Sequence, residues 1–501
     1  MTMDRRTFLR RSAWVAGACA FLPLPPLRAA TSGRVFHIDG IDGDDGRDGS
    51  TPAQAWRSLR RLNQARFGPG DRILFRRGGD YPGAFLPKGS GRAGAPVTVD
   101  AYGDGALPHL HADGDSPSTV RLQNVEYWEL RHLEISNTGA QPAPRRTAVH
   151  LFHQDAGVVH GIVLEGLYLR DVNGSLVKKD GGGSAILVQA GGKQTPTRYQ
   201  GLTIAGNRIE RCGRDGILFL GAGSRRSGLA AGVVVRGNRL LGVPGDAILV
   251  KGCTGAIVER NTVSQCGALP RGEAAAGIWP FDCDDTLIQY NEVSDHRAHA
   301  DGQAYDADFN CRGTVIQYNY SHDNVGGMAL VCNDGRNASA VGNTGTVVRF
   351  NVSINDALRA TDSASLRISG PVAGSRIYNN IIIIPDKPVA EAEVTVFKAT
   401  RWQGVPDDTA IHDNIIVAAR SPGMDMGVAT QTRLGDNAVY TDTPQDAAPG
   451  RMRALAGDAA LLARFRRYRP TLDQVNALVR ECFVDGKPVA DALARIGRLA
   501  A

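Results

Sequence analysis

Aromatic residues make up only 6% of the 501-residue chain, against 60 glycines. That balance leaves few bulky core residues and calls for many tight turns. Beyond residue 30 no segment is long and apolar enough to span a bilayer, which argues against stable membrane insertion. A dense Lys/Arg patch with interleaved aromatics is also missing, and so is support for a nucleic-acid partner. The formal charge of +6 falls to about +2 when residues 1–30 are set aside. Hydrophobic residues still reach 42%, enough for a sizeable core and too many for a disordered chain.

The positive charge is concentrated at the start. Residues 1–30 combine a basic beginning, a Pro-broken apolar middle and small residues near Ala29 and Ala30, the anatomy of an export signal. "RRTFLR" at Arg5–Arg10 resembles the twin-arginine motif of bacterial Tat export. The expected location is periplasmic or secreted.

The rest of the chain repeats itself. "GLTIAGN", "GVVVRGN", "GAIVERN", "DTLIQYN", "GTVIQYN", "GTVVRFN", "SRIYNN" and "TAIHDN" end at Asn207, Asn238, Asn261, Asn291, Asn319, Asn351, Asn380 and Asn414. The steps are 31, 23, 30, 28, 32, 29 and 34 residues. Each copy is a short alternating strand bounded by turn residues, unable to bury its apolar face alone but able to do so when stacked. Three short strands per turn predict an all-β, right-handed parallel β-helix of about ten coils. The recurrent Asn predicts an internal amide ladder. Residues 31–105 are expected to form an N-terminal cap and first coils, 106–445 the solenoid, and 446–501 a helical C-terminal cap over its open end.

Cys253, Cys283 and Cys311 each precede a repeat Asn by eight residues. Stacked coils lie about 4.8 Å apart, so disulfides are geometrically open, but small buried thiols filling one interior slot are the favoured reading. A linear column is unsuited to tetrahedral zinc.

"FHIDGIDGDDGRDGSTPAQAWRSL", "PGDRILFRRGGDY", "VTVDAYGDGALP" and "DGQAYDADFNCRGTVIQYNYSHDNVGGMALVC" resemble bacterial secreted, pectate-lyase-like β-helix proteins that act on polysaccharides. The resemblance implies a long groove along one parallel sheet and a polysaccharide or oligosaccharide substrate.

Strand alternation puts Asp306, Asp308 and Asn310 of "YDADFN" on one face, with Tyr305, Ala307 and Phe309 on the other. The cysteine register sets Asp308 level with Pro280, and Asn310 level with Asp282, on neighbouring coils. Asn333, Asp334, Arg367, Lys251 and Trp279 are expected to line the same groove as substrate contacts, with Trp402 further along. Turns add His296, His299, Asp301, His322 and Asp323 at the rim, as substrate contacts or acid–base groups. Crowded carboxylates raise one another's proton affinity, which supplies an acid and a base near neutrality.

The leading reading is a glycoside hydrolase using Asp306 and Asp308, with Asp282, Asp301 and His322 as further catalytic candidates and no cofactor. The second is a polysaccharide lyase, with calcium on Asp282, Asp306 and Asp308 and Lys251, Arg367 or a rim histidine as base. A non-catalytic carbohydrate-binding rod is the third. Nothing in the sequence requires more than a monomer.

Overall fold

A computed structural model describes residues 33–335, 342–359, 363–385, 394–441 and 452–499. The expected leader and its Cys19 lie outside these residues. Three long parallel sheets run side by side through the unit Gly33–Ala501, two of 14 strands and one of 11. Strands that are successive within a sheet come from successive repeats, so the chain winds from sheet to sheet once per coil. The first sheet begins with Val35–Ile38, Arg72–Arg76 and Val97–Tyr102. The solenoid therefore starts at Val35 and has more coils than the ten expected. Its early coils lack the marker Asn by which repeats are recognised.

The ladder is present and one rung longer than the repeat alignment, running from Asn207 to Asn437. Each Asn from 207 to 414 donates through Nδ2 to Oδ1 of the next, at 2.9–3.0 Å. The same Oδ1 also accepts the backbone N–H of the preceding Asn. A second Nδ2 bond reaches a carbonyl one coil back, as from Asn319 to Ile288 at 2.9 Å. Every amide valence is thus filled inside the core, where an unfilled one costs about 1–3 kcal/mol. The residue before each Asn from 207 to 414 turns the corner at positive φ, among them Arg260 (55°), Tyr290 (54°), Tyr318 (55°) and Phe350 (56°).

All seven cysteines from Cys212 to Cys482 are buried free thiols. Cys253, Cys283 and Cys311 are 0% exposed, stacked as interior filler.

Near the N-terminus, Trp56, Leu59 and Leu62 share a buried face, although the helix is a single turn, Leu59–Leu62. At the other end, Met452–Ala456 adds a last strand to the second sheet. Helices Ala459–Phe465, Leu472–Cys482 and Ala492–Leu499 pack on the outer face of that sheet. They do not simply close the open end, because the sheet's outer residues are themselves apolar. In "IIII", Ile382 and Ile384 join the solenoid core while Ile381 and Ile383 meet the helices.

Candidate active site

The 11-stranded sheet is the groove sheet. Its inward row includes Ile186, Ile217, Ile248, Ile278 and Tyr305, all buried. The adjacent outward row runs Arg121, His150, Leu187, Leu218, Leu249 and Trp279. Beyond Trp279 it continues with Asp306, Leu330, Arg367 and Lys398. From Leu187 onward the row is thus apolar over several coils, acidic at Asp306 and basic at Arg367 and Lys398.

The first part of this row floors a cleft of about 560 Å³, bounded also by Phe152, Lys178, Lys251 and Phe281. Trp279 and Lys251 therefore stand where the sequence placed them. Lys251 Nζ lies 4.6 Å from the Phe281 ring centre, and Lys178 Nζ lies 5.4 Å from that of Trp279.

Two carboxylates of the cleft wall, Asp215 and Asp246, and the guanidinium they share are among the charged groups that escaped the sequence reading. Arg214, fully buried, donates through Nη1 to Asp215 Oδ1 and Asp246 Oδ2, each at 2.6 Å. Asp246 Oδ1 accepts the Ala276 N–H at 3.0 Å and the Trp279 indole N–H at 3.1 Å, fixing the ring. Two buried carboxylates share this guanidinium. Burial and the neighbouring Asp246 push the Asp215 carboxyl up to about 7. The signal was legible: "RDGILF" and "GDAILV" open successive groove strands with Asp at one repeat position.

The expected acid cluster occupies the next coil. Tyr305–Ala307 forms its groove strand, and Ile278 pairs with Tyr305. Further on, Asp284 pairs with Arg312. One extra residue therefore lies between these two pairings, and the cysteine register does not extend back to the carboxylates. The sheet register sets Trp279 level with Asp306, and Pro280 level with Ala307 and not with Asp308 as the cysteine register predicts. The slip also turns Phe309 outward, 5.6 Å from Phe281 and 5.1 Å from Trp402 by ring centres, correcting its expected inward place. Asn310 sits at φ 57° and is buried, its backbone carbonyl held by Arg225.

Asp306 is 5% exposed, and its Oδ1 has no hydrogen-bond partner among the described residues. Burial first, then Asp301 and Asp308, raise its carboxyl far above the usual range. Asp308 is half-buried and accepts the Phe309 N–H at 2.7 Å and the Cys332 thiol at 3.2 Å. Burial pushes Asp308 up to about 7. Asp301 comes from another element, the short strand Ala300–Asp301, which pairs with Ala274–Ala275. Its side chain is 39% exposed, with Arg367 Nη2 at 3.8 Å. Arg359 anchors its backbone carbonyl at 2.9 Å. Burial raises the Asp301 carboxyl as well, against the lowering effect of Arg367.

Other expected site residues lie elsewhere. Asp282 is in a turn at φ 56°, with Arg225 Nε at 3.8 Å. Among the described residues, ligand atoms of Asp282, Asp306 and Asp308 do not all come within 4.8 Å of one another, so this arrangement does not gather the three for one calcium ion. His296 is fully buried and burial holds it neutral, near 4, so it is not a rim residue. His299 is exposed on the same turn. His322 and Asp323 belong to the second sheet, not the groove. His322 pairs with Asp323 at 2.8 Å, and Arg469 from the C-terminal segment grips Asp323 through two bonds of 2.6 and 2.5 Å. Asn333 and Asp334 are buried beyond the strand Ala329–Cys332, with Asn333 Oδ1 accepting the Asn310 N–H at 3.4 Å.

Comparison with known proteins agrees with this architecture. The family profile described as "Right handed beta helix region" matches residues 184–382. A curated lacto-N-biosidase of Bifidobacterium longum is 27% identical over 71% of this chain, and the chain spans only 27% of that protein's length. The crystal structure of GH136 lacto-N-biosidase from Eubacterium ramulus superposes with a TM-score of 0.59 and 24% identity, over 84% of this chain and 68% of that one. The chain is a right-handed parallel β-helix.

Proposed function

We propose that the protein is a glycoside hydrolase acting on an oligosaccharide or polysaccharide, with Asp301 and Asp308 as its two working carboxylates. One observation carries the reading. Two partly exposed carboxyls, from different elements of one coil, both have raised proton affinity, and the preceding coil's Trp279 and Phe281 line a cleft of about 560 Å³. Hydrolysis of a glycosidic bond needs one carboxylic acid to protonate the leaving oxygen and one carboxylate to attack or to activate water. Asp306, the more deeply buried member, is itself pushed up by burial and then by Asp301 and Asp308, which keeps it protonated beside the pair. Trp279 and Phe281 offer faces for sugar rings.

The similarity to a curated lacto-N-biosidase supports a hydrolase over a lyase. Export by the twin-arginine route belongs to the proposal and rests on Arg5–Arg10. Lacto-N-biosidase substrates are the first to assay, followed by a polysaccharide panel read by product mass. Addition of water is expected. Unsaturated products absorbing near ~235 nm, the mark of elimination at a uronate, would replace this reading with the lyase. Asp301→Asn and Asp308→Asn are each expected to lower kcat by about 10² or more. Unchanged rates in both would remove the site.

A further inference from the structure

Far from the groove chemistry, the start of the second sheet carries a second set of converging side chains. Asp80–Pro82 and His109–His111 are adjacent parallel strands, with Asp80 level with His109 and Pro82 level with His111. Alternation puts both imidazoles on one face, rings stacked with centres 4.8 Å apart, beside the Asp80 carboxylate. His109 Nδ1 is 3.1 Å from Asp80 Oδ1, and His111 Nε2 is 2.9 Å from Asp80 Oδ2. One ligand atom from each of the three residues lies within 4.8 Å of the others.

We propose that Asp80, His109 and His111 bind a divalent transition-metal ion, of which zinc best suits the donors, and that this ion clips two coils of the solenoid together. Three features favour a metal site over a plain ion-pair cluster. Tetrahedral zinc with bonds near 2.0–2.1 Å holds its donor atoms about 3.3 Å apart, near the 3.1 and 2.9 Å between the two imidazole nitrogens and the Asp80 oxygens. Each imidazole also has its far nitrogen engaged: His111 Nδ1 with Asp113 Oδ2 at 2.7 Å, and His109 Nε2 with Ser136 Oγ at 2.8 Å. Such outer partners orient a ligating histidine and turn its other nitrogen to the metal. Finally, two imidazoles with one carboxylate suit zinc and its neighbours, whereas calcium and magnesium prefer all-oxygen sets. Asp80 is largely exposed, which leaves the fourth position open to water.

The test uses tag-free, chelator-treated protein titrated with cobalt(II) and zinc(II). The seven buried thiols should not compete for either metal. Expected are one equivalent of cobalt(II) with the visible bands of a four-coordinate site, displacement by zinc(II), and a zinc-dependent rise in unfolding temperature. Asp80→Asn, at its exposed position, and His109→Ala should each weaken cobalt binding at least tenfold, with hydrolytic activity unchanged. Failure to take up cobalt or zinc overturns the proposal, as does equal uptake by a His109→Ala/His111→Ala protein.

Discussion

Buried carboxyls with raised proton affinity give single residues a measurable pH signature. Asp215 rises from 3.8 to about 7 because it is buried and lies beside Asp246, against the lowering effect of Arg214. The folded state therefore holds this proton more tightly than the unfolded chain. Its effect is to lower stability as pH climbs from about 4 to about 7, where only the folded state remains protonated. Asp215→Asn keeps an acceptor for Arg214 and removes the titration. Chemical unfolding at pH 4.5 and pH 8 should show a smaller loss of stability in the variant than in the parent. An equal loss would locate the pH dependence elsewhere. Asp308, also at about 7, sets a different limb: activity should change with ionisation in that region, and Asp308→Asn should abolish that limb in any residual rate. Residue by residue, alternation was enough to set Asp306 and Asp308 outward. It failed at Phe309 and Asn310, since a single extra residue leaves no mark in composition and reverses every facing beyond it.

At the scale of elements, the Asn column and the C-terminal helices hold the solenoid in different ways. Asn319→Ala removes one rung and leaves the Asn291 backbone N–H and one of its two Nδ2 hydrogens without an acceptor, while the other still reaches the Val258 carbonyl. A loss of about 2–4 kcal/mol is expected in denaturant unfolding, from one or two buried donors left unpaired. A loss under about 0.5 kcal/mol, the size of an ordinary surface change, would show that water fills the gap. The helices are tied by Arg469, whose bidentate grip on Asp323 bridges segments far apart in sequence. Arg469→Ala leaves Asp323 with His322 and Asn355 as its side-chain partners, and a cost of about 1.5–3 kcal/mol is expected from the lost charge-assisted bonds. Limited proteolysis should then release the C-terminal helices first. The repeat could foretell the column, because each rung is local sequence. It could not foretell which face the helices cover, since an all-isoleucine strand such as 381–384 has no polar side to mark as outside.

For the molecule as a whole, the groove is a gradient rather than a uniform trough. Leu187, Leu218, Leu249 and Trp279 give way to Asp306 and then to Arg367 and Lys398. A sugar chain lying along it would bury its apolar ring faces on one side of the scissile bond and meet charge on the other. Trp279→Phe, which keeps a ring but loses the indole donor to Asp246, should raise KM more than it lowers kcat in steady-state assays. A purely catalytic loss at unchanged KM would detach the cleft from substrate binding. This asymmetry was invisible in the sequence, because the row is assembled from one residue in each of many coils.

Each rung of the asparagine column has the same partners whichever coil it comes from. A coil is therefore a cassette with matching connectors at its two corners, and one can be duplicated or removed without redesigning the joint. Length is set only by where the ends are covered. Cassettes ahead of Trp279 would extend the apolar floor and admit a longer sugar chain. The coil bearing Asp308 is the exception, because its extra residue shifts its groove strand against its corner by one position relative to the coil before it.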